Sequence, residues 1–408
     1  MSTADSIPAS TVPARGASSV RIKLSRDDYA LRTGLVVVIS LLAILVVLPL
    51  YSLLSKSLED MDGNFVGLQN FQEYFQTPAL LTSITNSLSV AFFSAIIVLV
   101  LAFIYAYALT RTKMPFRLFF RGVALIPILA PSLLAAISLI YWFGTQGVLK
   151  SWLFGASIYG PIGVIMASCF WVFPHALMIL ITALSTADAR LYEAAEALRT
   201  PKWRIFWTVT LPGAKYGILS TGFIVFTLVI TDFGVPKVIG GNFNVLATDV
   251  YKQVVGQQNF EMGAVVSLVL LLPAVAAFIA DRWVQRQQVA VLSARAVPFQ
   301  AKSEPLRDWL FFGFCAVIAF IFLAMLGMAA YASFVTFWPY NLSLTLNNYD
   351  FDLMDGGGWE AYFNSIRMAI YCAVFGSGLI FFGSYLVEKA RGVSWLRTIL
   401  HLIAMMPL

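Results

Sequence analysis

The chain has 408 residues, of which 59% are hydrophobic and only 12% are charged. A soluble domain carries about 25% charged residues, so the composition excludes an ordinary soluble protein. The net charge of +6 would suit nucleic acid only if the basic residues formed one patch, and they are instead spread over several loops. The composition therefore indicates a membrane protein.

The predicted elements are long apolar helices. A helix needs about 20 apolar residues to cross a bilayer, and these segments lack the alternation of barrel strands. A ninth apolar segment begins near Leu396 and continues to Leu408. The fold class is therefore predicted as an all-α polytopic membrane protein with eight full spans: Gly34–Leu54, Ser87–Leu109, Phe119–Phe143, Pro161–Leu184, Gly217–Val235, Gly263–Ala280, Trp309–Phe334 and Ser365–Val387.

The basic residues sort by loop. Most of the 27 Lys and Arg residues fall in alternate loops on one side, including the N-terminal tail. Cytoplasmic loops carry this excess of Lys and Arg. We therefore predict a multi-pass membrane protein with a cytoplasmic N-terminus, contact with the lipid bilayer and no nucleic-acid partner. The opposite side receives only Lys56, Lys150, Lys237 and Lys252, and Arg367 lies at a helix mouth.

The chain contains an internal similarity. Asn70 and Asn348, each just before a span, differ by 278 positions, as do Asn86 and Asn364, each at the start of one. One register held twice in equivalent places predicts two parallel repeats. The second repeat stops before it reaches a charged insert, so we expect the chain to be a fragment. The predicted domains are a cytoplasmic tail (1–32), a first six-span unit (33–281) that includes the charged insert, a cytoplasmic linker (282–308) and a truncated second unit (309–408).

The charged insert lies at 185–215, between the fourth and fifth spans. Asp188 is among the residue types that cap helices, and the segment from Leu191 to Leu198 favours helix. Pro201 limits this helix at about Thr200. A second short helix is predicted from Lys202 through Val209 until Pro212. Such an elbow would suit docking into a groove of a partner, although an ordinary helical connection between spans has the same composition.

The insert resembles the coupling loop of permeases from ATP-binding-cassette (ABC) importers of the type I, MetI-like fold. Those permeases carry Glu-Ala-Ala (the EAA motif), three residues, Gly, nine residues, then Ile-x-Leu-Pro. Here the motif begins at Glu193, and Val209 takes the Ile position. Arg199 replaces the Gly, so we expect the bend to pass to Thr200 and Pro201. The resemblance implies that the residues coupled to the ATPase are Glu193, Ala194, Ala195, Glu196, Leu198, Arg199, Leu211 and Pro212.

The resemblance covers nearly the whole chain as two fused permease units. It implies two ABC ATPase subunits, which bind ATP and Mg²⁺, and a periplasmic substrate-binding protein; no cofactor is expected on this chain. The fusion is similar to ferric-iron importers and to a group that imports 2-aminoethylphosphonate. The stretches 231–241 and 244–251 look closest to the latter, so that solute is the first expectation. Ferric iron, another small solute, or an ion-coupled secondary transporter are the alternatives.

Few residues suggest chemistry inside the membrane. Asp232 could line the pathway or cap a helix, and His175 could bind a ligand or a proton, or simply accompany a kink at Pro174. No phosphate-binding loop, metal-ligand spacing or nucleophile–His–acid set is present in the sequence, so we expect a transport subunit rather than an enzyme. Pro127, Pro131 and Pro273 lie within spans and are expected to kink them.

Overall fold

The computed structural model describes residues 26–289, 299–353, 357–389, 395–396, 399–400 and 403. By length and composition, seven of its helices are able to cross a membrane, and one helix pair bent by 103° is either a broken span or a re-entrant loop. Seven of the predicted spans are therefore confirmed as long apolar helices, and the predicted span Phe119–Phe143 corresponds to the bent pair. Most of the predicted N-terminal tail and of the ninth span lies outside the described residues.

The chain divides into two compact units. The larger unit is Leu50–Ala361, and the smaller one combines the two ends of the chain. In chain order the helices are α1 (Arg26–Ser57), α2 (Gln69–Gln76), α3 (Pro78–Arg111), α4 (Arg117–Leu129), α5 (Ser132–Phe143), α6 (Pro161–Ser185), α7 (Ala189–Ala197), α8 (Lys202–Ile230), α9 (Gly234–Ile239), α10 (Leu246–Tyr251), α11 (Phe260–Val289), α12 (Pro305–Phe334) and α13 (Gly358–Lys389).

The smaller unit has its own apolar cluster, formed by Leu35 and Val38 of α1, Leu386 of α13, and Leu396 and Leu400. Gly34 faces Leu386, and a Cβ on this glycine would lie 3.3 Å from the leucine methyl groups. The absence of a side chain at position 34 thus lets α1 and α13 approach closely, as small residues do in membrane helix pairs.

The core of the larger unit is built on α3, α6 and α8, which pack directly against one another. On α3 the small residues Ala91, Ala95, Ala102 and Ala106 are buried. A Cβ on Gly217 of α8 would lie only 2.3 Å from the Cβ of Ala183 on α6. Because small residues let helix backbones approach in the membrane, these positions hold the three helices in close contact.

The third span is broken into α4 and α5, which meet at an angle of 103°. Pro127 lies in the last, 3₁₀ turn of α4, and Pro131 precedes the first residue of α5. Proline removes a backbone donor and cannot continue the preceding turn. The predicted kink at Pro127 and Pro131 is confirmed, whereas Pro273 lies within the continuous helix α11.

Asn70 and Asn348, matched in the sequence, also make matching contacts. The amide nitrogen of Asn70 donates to the carbonyls of Ser57 and Glu59, at 3.0 and 2.8 Å. That of Asn348 donates to the carbonyls of Ser333 and Val335, at 3.1 and 2.8 Å. Each asparagine therefore ties the loop before a span to the end of the preceding long helix.

Two short strands depart from the all-α prediction. β1 (Val335–Phe337) and β2 (Asn341–Leu344) form an antiparallel hairpin after α12, with an irregularity between the paired positions. The hairpin lies in the loop that Asn348 closes, and its side chains are mostly exposed. It adds a small extramembrane feature to a helical fold.

The predicted short helix ending before Pro212 is wrong. Lys202 instead begins a single helix, α8, that continues to Ile230. A π turn at Phe206–Thr210 precedes the proline, and the N–H of Leu211 donates to the carbonyl of Phe206. This wider turn accommodates Pro212, which has no N–H of its own. The charged insert is therefore continuous with the fifth span.

Candidate functional site

The first arm of the insert is helix α7, and it starts where the sequence predicts. Asp188 caps it, because its carboxylate accepts the backbone N–H of Arg190 at 3.1 Å. An N-cap side chain satisfies one of the donors that a helix start leaves without a partner. This cap fixes the direction in which the helix leaves α6.

The residue at which the chain turns after α7 differs from the one expected. The N–H of Thr200 donates to the carbonyl of Ala195 at 3.0 Å, and that of Arg199 to Glu196 at 2.8 Å. These two bonds form the Schellman motif, whose turning residue takes the left-handed conformation. That residue is Arg199, with φ of 51°. The expectation that the bend passes to Thr200 and Pro201 is wrong, since Arg199 adopts the conformation for which glycine is best suited.

The outward face of α7 carries most of the motif residues. Glu193, Ala194, Glu196, Leu198 and Arg199 are exposed, and Ala195 is half-buried. Leu198 has 81% of its surface accessible. An exposed leucine at the tip of a small, capped helix, beside two carboxylates, is suited to contact with another protein.

Leu211 and Pro212 do not share that face. They lie in α8 beyond the π turn, where Leu211 is half-buried and Pro212 is exposed. A hydrogen bond from the Tyr192 hydroxyl to the Thr210 hydroxyl, at 3.0 Å, joins α7 to this segment. The two ends of the motif are thus held together by Tyr192, not by a direct contact of the motif residues.

The inward face of α7 rests on Arg111, which the sequence reading did not single out as a site residue. Arg111 ends α3, is 3% exposed, and donates from Nη2 to the carbonyl of Leu184 at 2.7 Å. Its guanidinium carbon lies 4.9 Å from the ring centre of Tyr192 and 4.4 Å from that of Phe299. These cation–π contacts connect α3, α6 and α7. The only signal in the sequence is a basic residue at a span end.

The linker between the two predicted repeats also lies on the insert. The ring of Phe299 is 4.6 Å from that of Tyr192. Lys302 pairs with Glu196, and Glu304 pairs with Lys202. One of the predicted coupling carboxylates is therefore engaged within the chain, whereas Glu193 forms no ion pair among the residues that the structure describes. Opposite charges in the two segments were the only hint in the sequence.

The second arm, the start of α8, is anchored by aromatic side chains. The ring of Phe206 lies 6.1 Å from the rings of both Phe103 and Tyr107 on α3. Trp203 stacks on Phe206 with 71% of its own surface exposed. We call α7, the turn 198–201 and the segment 202–212 the elbow, and it is fixed to the membrane helices at both arms.

The two candidate pathway residues lie apart from the elbow. The carboxylate of Asp232 accepts the hydroxyl of Ser132 at 3.0 Å and the N–H of Val235 at 3.0 Å. It thereby joins the start of α9 to the start of α5, just after the break in the third span, a position that fits the helix-capping alternative. A Cβ on Gly234 would lie 2.7 Å from the Ser132 hydroxyl, so this junction needs glycine there.

His175 lies half-buried in α6 next to Pro174. Its ring meets that of Trp171 edge to face at 6.0 Å. Its Nδ1 has no hydrogen-bond partner in the described part of the chain. The same region contains no group of three or more His, Cys, Asp or Glu side chains able to hold a metal.

The central part of the chain matches a known family. Residues 99–289, from the middle of α3 to the end of α11, match the model of the binding-protein-dependent transport system inner membrane component. The match covers a little under half of the chain. The matched region contains the whole elbow.

Two relatives extend the similarity to most of the chain. A protein of Haemophilus influenzae named for a ferric transport system permease is 26% identical over 91% of this chain and 61% of its own length. The ferric transport system permease of Actinobacillus pleuropneumoniae is 25% identical over 86% of this chain and 52% of its own length. The chain thus spans less than two thirds of either permease. Both are transport subunits rather than enzymes.

Solved structures support the fold. A bacterial ABC transporter that imports the acidic polysaccharide alginate has a chain that matches with a TM-score of 0.50 and 15% identity, over 65% of this chain and 97% of that chain. The same transporter in complex with an alginate-bound periplasmic protein matches with a TM-score of 0.50, also at 15% identity, over 66% of this chain and 97% of that chain. The fold is that of a type I ABC permease.

Proposed function

We propose that the chain is a permease subunit of an ATP-driven importer of the bacterial inner membrane, and that its elbow docks onto a separate ATPase subunit. The observation that carries the proposal is the elbow itself. It presents Glu193 and Leu198 to the surroundings while Tyr192 fixes its other face to the membrane helices. A rigid, exposed element can transmit a push from a partner to the spans.

The physical role of the elbow follows from its anchors. Arg111 connects it to α3 and α6, and Phe206 connects its second arm to α3. A displacement of α7 would therefore move the ends of these helices together. Because α8 is continuous from the elbow into the membrane, the fifth span would follow the same motion. The partners of this mechanism are two ATPase subunits, which bind ATP and Mg²⁺, and a periplasmic substrate-binding protein.

For the solute we propose ferric iron in place of 2-aminoethylphosphonate. The relatives from Haemophilus influenzae and Actinobacillus pleuropneumoniae are named for ferric transport and align with most of the chain. The phosphonate expectation depends only on the stretches 231–241 and 244–251, and the described contacts of Asp232 are with Ser132 and Val235. Uptake of radioactive iron, compared with uptake of labelled 2-aminoethylphosphonate, separates the two solutes.

The docking role is tested with Glu193→Lys. The exposed carboxylate makes no ion pair among the described residues, so the change should leave folding and membrane insertion intact. We expect the ATPase subunit to co-purify at least about 10-fold less, as for loss of a charged contact in an interface, and ATP-dependent uptake to fall with it.

The matched control is Glu73→Lys, the same charge change on the exposed surface of α2. It should retain ATPase association and uptake. Normal association of the Glu193→Lys chain would contradict docking at the elbow, and uptake that follows an ion gradient without ATP would favour a secondary transporter.

A further inference from the structure

A basic cavity lies beside the elbow, at the ends of α3 and α6 and the start of α4. It has a volume of about 560 Å³, and its walls include the three arginines Arg111, Arg117 and Arg121. Leu109, Leu118 and Ile181 contribute apolar wall, and Phe299 closes one side. The cavity is therefore both cationic and apolar.

The positive charges of this cavity are not neutralised within the described part of the chain. None of the three arginines forms an ion pair there. Arg111 is 3% exposed, its Nη2 donates to the carbonyl of Leu184, and its Nε has no hydrogen-bond partner in the described part of the chain. Arg117 donates to the carbonyl of Thr112 at 3.2 Å. A buried charge without a counter-ion is costly. An anion in the cavity would offset that cost.

The polar groups suit a phosphate. Arginine recognises phosphate oxygens through two parallel N–H donors, and the cavity offers exposed guanidinium groups at both Arg117 and Arg121. These residues occupy the first turns of α4, where backbone N–H groups also favour an anion.

The apolar side chains around the cavity favour the phosphate of a lipid over a soluble phosphate. Leu118, in the cavity wall, has 84% of its surface exposed, and its neighbours in the chain, Phe116 and Phe119, have 72% and 55% exposed. A soluble anion gains no contact from exposed apolar side chains, whereas the acyl chains of a lipid pack against them. The cavity also lies at helix ends on the side that carries most of the Lys and Arg, where anionic lipids of the cytoplasmic leaflet meet basic side chains.

We propose that this cavity binds the phosphate headgroup of an anionic phospholipid, with Arg117 and Arg121 on the phosphate and Arg111 beneath it. A lipid there would touch Phe299 and, through Arg111, the base of the elbow. Its binding would stabilise the anchor that holds α7. This inference does not depend on the identity of the solute or of the ATPase.

The test is thermal unfolding of the purified chain in detergent, titrated with dioctanoyl-phosphatidylglycerol, dioctanoyl-phosphatidylcholine or inorganic phosphate. We expect phosphatidylglycerol alone to raise the unfolding midpoint saturably. In the double variant Arg117→Gln/Arg121→Gln its half-saturating concentration should rise on the order of 10-fold or more, because each basic side chain near a lipid surface contributes about a factor of 5 in binding. Both side chains are exposed, so the variant should fold.

The control variant is Lys113→Gln/Arg190→Gln, which removes two exposed basic side chains near the cavity but outside its wall. It should respond to phosphatidylglycerol as the unchanged chain does. Equal stabilisation by phosphatidylcholine, or an unchanged response of the arginine double variant, would overturn the proposal. Stabilisation by inorganic phosphate at the same concentrations would assign the cavity to a soluble anion instead of a lipid.

Discussion

At the scale of single residues, Arg199 occupies a backbone conformation that disfavours its own side chain. Its φ of 51° lies in the left-handed region, where a Cβ meets the following carbonyl. The related permeases place glycine at this point of the motif. The turn is nevertheless retained, since two backbone hydrogen bonds of the Schellman motif hold it. The departure from the motif therefore affects the stability of the turn and leaves its shape unchanged.

Replacing Arg199 with glycine should stabilise the end of α7 by about 1 kcal/mol, because the strain of the left-handed residue is removed. The backbone amides of residues 199 and 200 donate in the Schellman motif, and their hydrogen exchange should slow by roughly 5-fold. Ala197→Gly is the matched control: it lies within the helix, where glycine costs about 1 kcal/mol, so exchange should become faster. Faster exchange in both variants would contradict the assigned role of position 199.

Asp249 is a second residue of interest, because its burial makes the stability of the chain depend on pH. It lies in α10, outside the spans, is 5% exposed, and its Oδ2 has no hydrogen-bond partner among the described residues. Burial raises the pKa of this carboxyl above its ordinary value. The folded chain then binds more protons than the unfolded chain between the two pKa values, and its free energy of unfolding falls as the pH rises through that window.

Asp249→Asn should therefore stabilise the chain by about 1 kcal/mol at neutral pH and leave stability unchanged at pH values below the ordinary pKa of aspartate. Thermal unfolding at a series of pH values measures this. Asp60→Asn is the contrasting control, because hydrogen bonds from Asn64 lower the pKa of Asp60. Its carboxylate stabilises the fold only above that lowered pKa. Asp60→Asn should therefore lower the free energy of unfolding at neutral pH. A neutral-pH loss in Asp249→Asn would refute the interpretation of Asp249.

At the scale of elements, the elbow is held by groups far apart in the sequence. Arg111 lies against the rings of Tyr192 and Phe299, which also contact each other, and it donates to a carbonyl at the end of α6. The ion pairs of Lys302 with Glu196 and of Glu304 with Lys202 are largely exposed, and such pairs contribute at most about 1 kcal/mol. The position of α7 is therefore determined mainly by the arginine and the two rings.

Arg111→Lys should loosen α7 without abolishing the fold. Lysine keeps the charge but lacks the planar group that stacks on two rings, so we expect a loss of about 1–2 kcal/mol. Hydrogen exchange of the α7 amides should become faster. Arg367→Lys, on the exposed surface of α13, is the control and should leave α7 unchanged. Equal exchange in the two variants would show that Arg111 does not anchor the elbow.

At the scale of the whole molecule, orientation in the membrane is the principal prediction. The uneven distribution of Lys and Arg predicts that the elbow faces the cytoplasm and that the loop at Asp62 faces the periplasm. Both Lys202 and Asp62 are exposed. Single cysteines at these positions, in a background without Cys169, Cys315 and Cys372, report on the two sides.

In spheroplasts, a membrane-impermeant maleimide should label Asp62→Cys at once. It should label Lys202→Cys only after the membrane is permeabilised. The reverse pattern would place the elbow in the periplasm, where no ATPase could reach it, and the proposed function would fail with the predicted orientation.

The candidate site was only partly predictable. The start of α7 follows from Asp188, and the exposed motif from Glu193 onward follows from its spacing. The continuity of α8 through Pro212 did not follow from the sequence, because a π turn depends on the packing of Phe206 against α3. The role of Arg111 did not follow either, since its sequence neighbourhood is like that of the other basic residues at span ends.

The sequence by itself determined seven long apolar spans, the break at Pro127 and Pro131, and the presence of a charged insert between two spans. Each of these depends on the apolar length, the proline or the charge of one contiguous segment. Only the tertiary structure decided what the insert rests on, which of its carboxylates forms an ion pair with a described residue, and where a basic cavity forms. Those features depend on contacts between residues 73 to 188 positions apart, such as Arg111 with Leu184 and Arg111 with Phe299, and no local pattern records such distances.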